Sequence, residues 1–139
     1  MVTLSLDTNV FVELIRQGNA NVRQRFDHAR VIEQPLVASL LVLQELYYGA
    51  ERHHQPAAQR EIVRTALAPV RIELFDEGDM IAAARIRAAL AKPGRPIGPY
   101  DLLIAGQALA RGWTVVTANT HEFARIDGLN VIDWTAPAD

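Results

Sequence analysis

Three acidic side chains stand alone in otherwise uncharged stretches of this 139-residue chain. They are Asp7, Glu45 and Asp101. The stretches without any other charge are residues 1–12, 34–50 and 96–110, although 22% of the chain is charged. A carboxylate in an apolar segment is costly unless a partner neutralises it, and no arginine or lysine lies inside these stretches. The pattern predicts that the three acids share a function.

The chemistry that such acids would share is the binding of a cation. Two like charges about 5 Å apart repel by roughly 3 kcal/mol at an effective dielectric constant of 20, so three acids in one cleft call for a positive ion. An all-oxygen ligand set selects Mg²⁺ or Mn²⁺, and the chain has no cysteine to make a thiolate site. Taken singly, Asp7 has an alternative role in a turn or cap, and Asp101 as a helix-start charge.

The elements that must position these acids alternate between strand and helix from end to end. Strands are predicted at residues 2–6, 36–38, 70–75, 113–117 and 129–134. Helices are predicted at residues 7–18, 20–32, 39–53, 56–68, 77–92, 99–112 and 120–126. Strands separated by helices of this length require crossovers, which predicts a three-layer α/β/α fold with a mainly parallel central sheet.

In such sheets, functional groups gather beyond the carboxyl ends of the strands. Asp7 directly follows the first strand, and Asp101 lies in the first turn after Pro99. Glu45 lies about two turns into a helix, on a face that it shares with Val42 and Tyr48, so we expect it to point inward.

Length and composition limit the remaining possibilities. A chain of 139 residues fits one domain over residues 1–139, and 50% hydrophobic residues can supply its core. No run is apolar and long enough to cross a membrane, the start MVTLSLD lacks the basic region of a signal peptide, and the absence of cysteine suits a cytoplasmic protein. A net charge of −2 gives no overall attraction to nucleic acid, so any polyanion must be met by a metal or a local patch.

Four blocks of the sequence, in this order and spacing, resemble the PIN-domain family and more closely its VapC toxins from bacterial toxin–antitoxin pairs. The blocks are LDTNVFVEL, SLLVLQELYYGA, IGPYDLLIAGQAL and VVTANTHEFARIDGLNVIDW. The resemblance covers residues 4–134 and implies a PIN-like fold and a metal-dependent endoribonuclease. It also implies a cognate VapB-like antitoxin lying across the active groove, a homodimer, and an RNA substrate for which transfer RNA is favoured.

The resemblance assigns Asp7, Glu45 and Asp101 to the metal site of the family and Asn119 to a fourth site position, where many members have an acid. The alternative for Asn119 is a capping arrangement with Glu122 at the start of a short helix. Supporting roles near the site or the substrate are expected for a further set of residues. These are Asn9, Thr117 and, as a phosphate contact, Arg95.

Three carboxylates are enough to hold one divalent ion, whereas a second would leave the site with a net positive charge. We therefore expect one ion in the free enzyme, with any second ion recruited together with RNA. His28, His53 and His54 are interpreted as solvated side chains, and His121 as a weaker candidate for substrate contact.

Two other classes of function stay open at this point. LSLDTN is also compatible with a phosphate-accepting aspartate, as in a haloacid-dehalogenase-like phosphatase or a receiver domain. The phosphatase, however, needs a second acid where Asn9 stands, and both classes need a catalytic lysine, for which only Lys92 is available. The other class is a catalytically silent PIN-like module that binds RNA or protein.

Overall fold

The computed structural model describes residues 1–137 and contains a central five-stranded sheet flanked by helices. The strands are β1 (Leu4–Leu6), β2 (Leu36–Ser39), β3 (Arg71–Glu73), β4 (Thr114–Val116) and β5 (Asn130–Ile132). Their order across the sheet is β3-β2-β1-β4-β5, and every neighbouring pair is parallel. The predicted α/β/α fold with a parallel sheet is confirmed.

Seven helices connect and cover these strands within the described range. They are α1 (Thr8–Arg16), α2 (Ala20–Val31), α3 (Leu40–Glu51), α4 (Pro56–Leu67), α5 (Glu77–Ala91), α6 (Pro99–Arg111) and α7 (Thr120–Phe123). Each predicted element is present, and its bounds differ from the prediction by at most three residues at either end. The largest difference is in α7, which ends at Phe123 rather than at residue 126. None of the described helices is long and apolar enough to cross a membrane.

The two central strands bring separate parts of the chain to one edge of the sheet. β1 pairs with β4 in a register that sets Leu6 opposite Val116, so the residues that follow them, Asp7 and Thr117, emerge side by side. Helix α6 ends where β4 begins, and its first turn therefore lies towards the carboxyl edge of the sheet. Both strands are buried throughout, as expected for parallel strands covered on two faces.

Helices α5 and α6 pack against each other in antiparallel fashion. The first turn of α5 meets the end of α6, where the Arg111 guanidinium donates to both carboxylate oxygens of Asp79, at 3.1 and 2.7 Å. Asp79 is 1% exposed, and its other contacts close a capping box with Asp76. This pair ties the end of α6, the helix that carries Asp101, to the first turn of α5.

Gly106 allows the two helices to approach closely. A Cβ atom at this position would lie 2.7 Å from the Cβ of Ala83 and 2.8 Å from its backbone nitrogen. We expect Gly106→Ala to lower the free energy of unfolding by about 1–3 kcal/mol, because the helices must separate to admit the methyl group. Urea unfolding checks this, with Gly49→Ala as the matched helical control, since nothing lies within 4 Å of its Cβ position. Equal stability of the two variants would contradict the prediction.

Candidate active site

Asp7 is buried at the junction of β1 and α1, with 6% of the residue exposed. It is the N-cap of α1, and its Oδ1 accepts the Thr8 backbone N–H at 2.8 Å. Its Oδ2 accepts the Thr117 hydroxyl at 2.8 Å and the Asn9 side-chain amide at 3.3 Å. Burial raises the pKa of Asp7 above its usual value, and the hydrogen bonds from Thr117 and Thr8 oppose that rise.

Asn9 and Thr117 join the loops that follow β1 and β4. The Asn9 side chain donates to Thr117 Oγ1 at 3.1 Å, and its Oδ1 accepts the Ala118 N–H at 3.2 Å. Thr117 Oγ1 also accepts the Asn119 N–H at 3.0 Å. Two of the three residues predicted to support the site, Asn9 and Thr117, therefore lie against Asp7 and hold its carboxylate by hydrogen bonds.

Glu45 reaches the same cleft from α3. Its Oε1 accepts the Thr8 hydroxyl at 2.9 Å, which links the acid to the residue next to Asp7. Burial raises the pKa of Glu45; the Thr8 bond opposes this rise, and the charge on Asp7 adds to it. The prediction that Glu45 points inward is wrong in one respect. On the helix face that it shares with Val42 and Tyr48, Val42 is buried but Tyr48 is 57% exposed, so Glu45 lies at the boundary between core and solvent.

Asp101 completes the group from the first turn of α6. Burial raises the pKa of Asp101 to about 6, with further contributions from the charges on Asp7, Glu45 and Glu122. A hydrogen bond of 3.2 Å from the Asn119 side-chain amide to Oδ2 opposes this rise. The solitary acids of the sequence thus lie close enough for the charge on Asp7 to raise the pKa of Glu45, and for the charges on Asp7 and Glu45 to raise that of Asp101.

Asn119 occupies the N-cap position of α7, but its side chain makes no capping hydrogen bond. The capping interpretation is therefore wrong; the contact that the side chain makes is a hydrogen bond from its NH2 group to Asp101. Glu122 accepts a hydrogen bond from Arg125 at 2.8 Å and reaches Asp101 through its charge. The Asn119 amide thus touches one of the three acids directly, whereas Glu122 is paired with Arg125 and acts on Asp101 only at a distance.

Arg95 lies in the exposed loop between α5 and α6, where its carbonyl oxygen accepts a hydrogen bond from Arg125. Within residues 1–137 its side chain makes no ion pair or hydrogen bond with another side chain. The expected phosphate contact of Arg95 stays a prediction.

Thr8 is the residue of the site that the sequence reasoning missed. Its backbone N–H binds Asp7 and its hydroxyl binds Glu45, so it is the direct bridge between two of the acids. The signal available was the threonine directly after Asp7 at a helix start, a position that also suits an ordinary first helical residue.

The donor set fits a hard divalent cation by its chemistry. Glu45 Oε2 and Asp101 Oδ1 accept no hydrogen bond from the described residues, and all available ligand atoms are oxygens. No three His, Cys, Asp or Glu side chains within residues 1–137 stand together as a preformed cage. Thr8 binds one carboxylate oxygen of Glu45, and Asn119 binds one of Asp101. The carboxylates must therefore shift for all three acids to contact one ion.

Removing one of the repelling charges should stabilise the protein when no divalent ion is present. Because the folded-state pKa of Asp101 is about 6, its ionised form destabilises the fold above that pH. We expect Asp101→Asn to raise the free energy of unfolding at pH 8 in EDTA by about 1–2 kcal/mol, since solvent screens part of the repulsion at this half-buried group. The gain should vanish below about pH 4, where both states of the wild type are protonated.

Thermal unfolding with EDTA and then with Mg²⁺ measures this effect. Added Mg²⁺ should narrow the gap, because the ion stabilises the wild type more than the variant. A variant less stable than the wild type in EDTA would show that the acids do not repel one another.

Comparison with known proteins identifies the family. The family model of the PIN domain matches residues 4–129 of this chain. This chain belongs to the PIN-domain family. Among curated PIN-domain relatives, it is 36% identical over 135 residues to the tRNA(fMet)-specific endonuclease VapC of Shigella flexneri, covering 97% of this chain and 100% of the relative. It is 37% identical over 134 residues to the protein of the same name from Salmonella typhimurium, covering 96% and 99%.

Solved structures agree with this VapC-like assignment. The DNA-bound VapBC complex of Salmonella typhimurium contains a chain that superposes with a TM-score of 0.87 at 36% identity, covering 96% of this chain and 99% of that one. VapBC2 of Rickettsia felis, bound to a promoter DNA fragment, gives 0.88 at 28% identity, covering 95% and 98%. The PIN-domain match replaces the phosphatase and receiver-domain alternatives.

Proposed function

We propose that this VapC-like PIN domain is a divalent-metal-dependent endoribonuclease and the toxin of a VapBC-like pair. The observation that carries the proposal is the group of Asp7, Glu45 and Asp101, which three different elements bring to one edge of the sheet. The charges on Asp7 and Glu45 raise the pKa of Asp101, and the charge on Asp7 raises that of Glu45. Relatives named as VapC endonucleases support the reaction class. Such carboxylates are unsuited to bind RNA phosphate directly, so a cation between them and the substrate is required.

Asp7, Glu45 and Asp101 are proposed to hold Mg²⁺ or Mn²⁺. When bound there, such an ion would supply Lewis acidity at the phosphoryl group and would lower the pKa of the attacking water. Asn119 orients Asp101 through its amide, and Thr117 and Asn9 fix Asp7. These contacts restrict the orientations of Asp7 and Asp101, so that the adjustment needed to close on an ion is confined to the free carboxylate oxygens.

Protonation sets the working state of the site. Asp101 must lose its proton to act as a ligand, and its raised pKa means that without a bound ion the ionised form predominates only above about pH 6. No described histidine touches the three carboxylates through a hydrogen bond or ion pair, and the proposal therefore assigns no general base. Attack by water leaves the phosphate on the 5′ end of the downstream fragment, whereas attack by the ribose 2′-hydroxyl would leave a 2′,3′-cyclic phosphate.

The proposed substrate and partners follow the relatives. Transfer RNA is the favoured substrate because two relatives are named for cleavage of tRNA(fMet). A VapB-like antitoxin is proposed because the matching solved chains are in VapBC complexes. We extend the proposal to a homodimer acting in the cytoplasm, where these partners would meet.

Cleavage of transfer RNA by the purified chain tests the proposal. We expect cleavage with Mg²⁺ or Mn²⁺, no cleavage in EDTA, and fragments whose new 5′ ends carry phosphate and are ligated without prior kinase treatment. Sequencing of 5′ ends after expression in cells would identify the RNA and the cut. Cyclic phosphate products would reject the water mechanism. RNA binding without any cleavage would favour the silent PIN-like module.

A further inference from the structure

A groove of about 420 Å³ leads away from the acidic site. Thr8 and Glu45 contribute to its lining, and they also belong to the active site. Arg16, His53 and Gln59 line it as well, and the side chains between these groups are mostly apolar. The groove therefore runs from a negatively charged site to a pair of basic side chains.

Two helices that run side by side set the length of this groove. Helix α1 leads from Thr8 to Arg16, and α3 with its following turn leads from Glu45 to His53. Thr8 and Glu45 are hydrogen bonded to each other, and Arg16 and His53 line the same groove. Eight residues at roughly 1.5 Å of rise each put the basic pair about 12 Å from the acids. A distance of about 12 Å allows the acids to face the phosphate being cut while the basic pair faces another phosphate further along the same RNA strand.

Both basic groups are available to a ligand. Arg16 is exposed, and its side chain forms no ion pair or hydrogen bond with any residue from 1 to 137. The structure corrects the interpretation of His53 as solvated, because it is half-buried, stacks on His54 at 4.2 Å, and accepts the Gln55 N–H on Nδ1 at 3.1 Å. With Nδ1 occupied as an acceptor, Nε2 carries the proton and is the free donor.

We propose that Arg16 and His53 form a phosphate subsite that holds the RNA strand beside the nucleotide being cut. The inference rests on the proposed ribonuclease function and adds a place where the strand is held. A polyanion with repeated charges matches a groove in which a cation-binding site is followed by a guanidinium and an imidazole N–H. The apolar stretch between them leaves room for a sugar or base.

The test compares RNA with a substrate that has no neighbouring phosphate. The Arg16→Gln/His53→Asn double variant is assayed on a single-stranded RNA oligonucleotide and on bis(p-nitrophenyl) phosphate. We expect the ratio of kcat/KM for RNA to kcat/KM for the small diester to fall about tenfold, through KM for RNA. The slope of log kcat/KM for RNA against log salt concentration should flatten by about one, as expected for a lost phosphate contact. Arg87→Gln, on the exposed face of α5, is the control and should match the wild type.

Direct binding separates this inference from the proposed function. In the Asp7→Asn background, fluorescence anisotropy with the same RNA should show a Kd about tenfold higher for the double variant. If the wild type does not cleave RNA, the proposed function is refuted. The subsite is still tested in that case, because the Kd for RNA is compared with and without the double substitution. An unchanged ratio, salt slope and Kd would overturn the subsite. The subsite would also be overturned if the double variant bound a VapB-like peptide less tightly but RNA as tightly as before, because the groove would then bind a protein partner.

Discussion

Asp7→Asn is expected to lower RNA cleavage about 1000-fold while leaving the fold intact. Asparagine retains an acceptor for the Thr8 N–H at the start of α1, so the cap survives. The variant loses the charge of the most buried of the three acids, and loss of a charged ligand costs several kcal/mol of transition-state stabilisation, about 4 kcal/mol for a 1000-fold effect. Single-turnover cleavage of transfer RNA at saturating Mg²⁺ measures it.

The control for this prediction is Asp27→Asn, which removes an exposed acid paired with Arg23 on α2. It should cleave RNA at the wild-type rate. The circular dichroism spectrum of Asp7→Asn must resemble that of the wild type, and its thermal unfolding must be cooperative, so that a loss of activity is not due to unfolding. A folded Asp7→Asn protein with more than a tenth of wild-type activity would contradict the assignment of Asp7 as a ligand.

Activity and Mn²⁺ affinity should both fall as the pH drops through about 6. The cation needs ionised carboxylates, and protons compete with it wherever the pKa is raised. With a pKa of about 6, Asp101 alone lowers the apparent affinity roughly tenfold by pH 5, and the raised pKa values of Asp7 and Glu45 make the decline steeper. We expect a loss of roughly 10- to 100-fold between pH 7.5 and pH 5 at subsaturating metal.

Titration of Mn²⁺ binding at several pH values checks this dependence apart from catalysis. Saturating metal should restore most of the lost activity at pH 5.5, because mass action overcomes the protons. A flat affinity between pH 5 and pH 7.5 would show that the three acids are not the ligands.

The sequence predicted the architecture well because its patterns depend on local physics. Gly112 and Pro99 mark the ends of α6, and the short β-rich runs of β1 and β4 favour buried strands. The absence of other charges around Asp7, Glu45 and Asp101 was a real signal, since the structure brings these side chains within reach of one another's charge.

Side-chain partners were harder to predict because they depend on tertiary contacts. Asn119 fitted a cap by its spacing, but Asp101, 18 residues away, provides a charged acceptor for the same amide. His53 was interpreted as a solvated side chain, and no sequence pattern singles out Arg16; the packing of α1 beside α3 places both along one groove with Glu45. No local pattern encodes such a juxtaposition.

The position of a bound ion tests the central claim most directly. A crystal soaked in Mn²⁺ and measured at the manganese absorption edge should show one anomalous peak in the RNA-free protein, with carboxylate oxygens of Asp7, Glu45 and Asp101 around it. A crystal saturated with Mn²⁺ that shows no peak there, or a peak that one of these three side chains does not reach, would contradict the account.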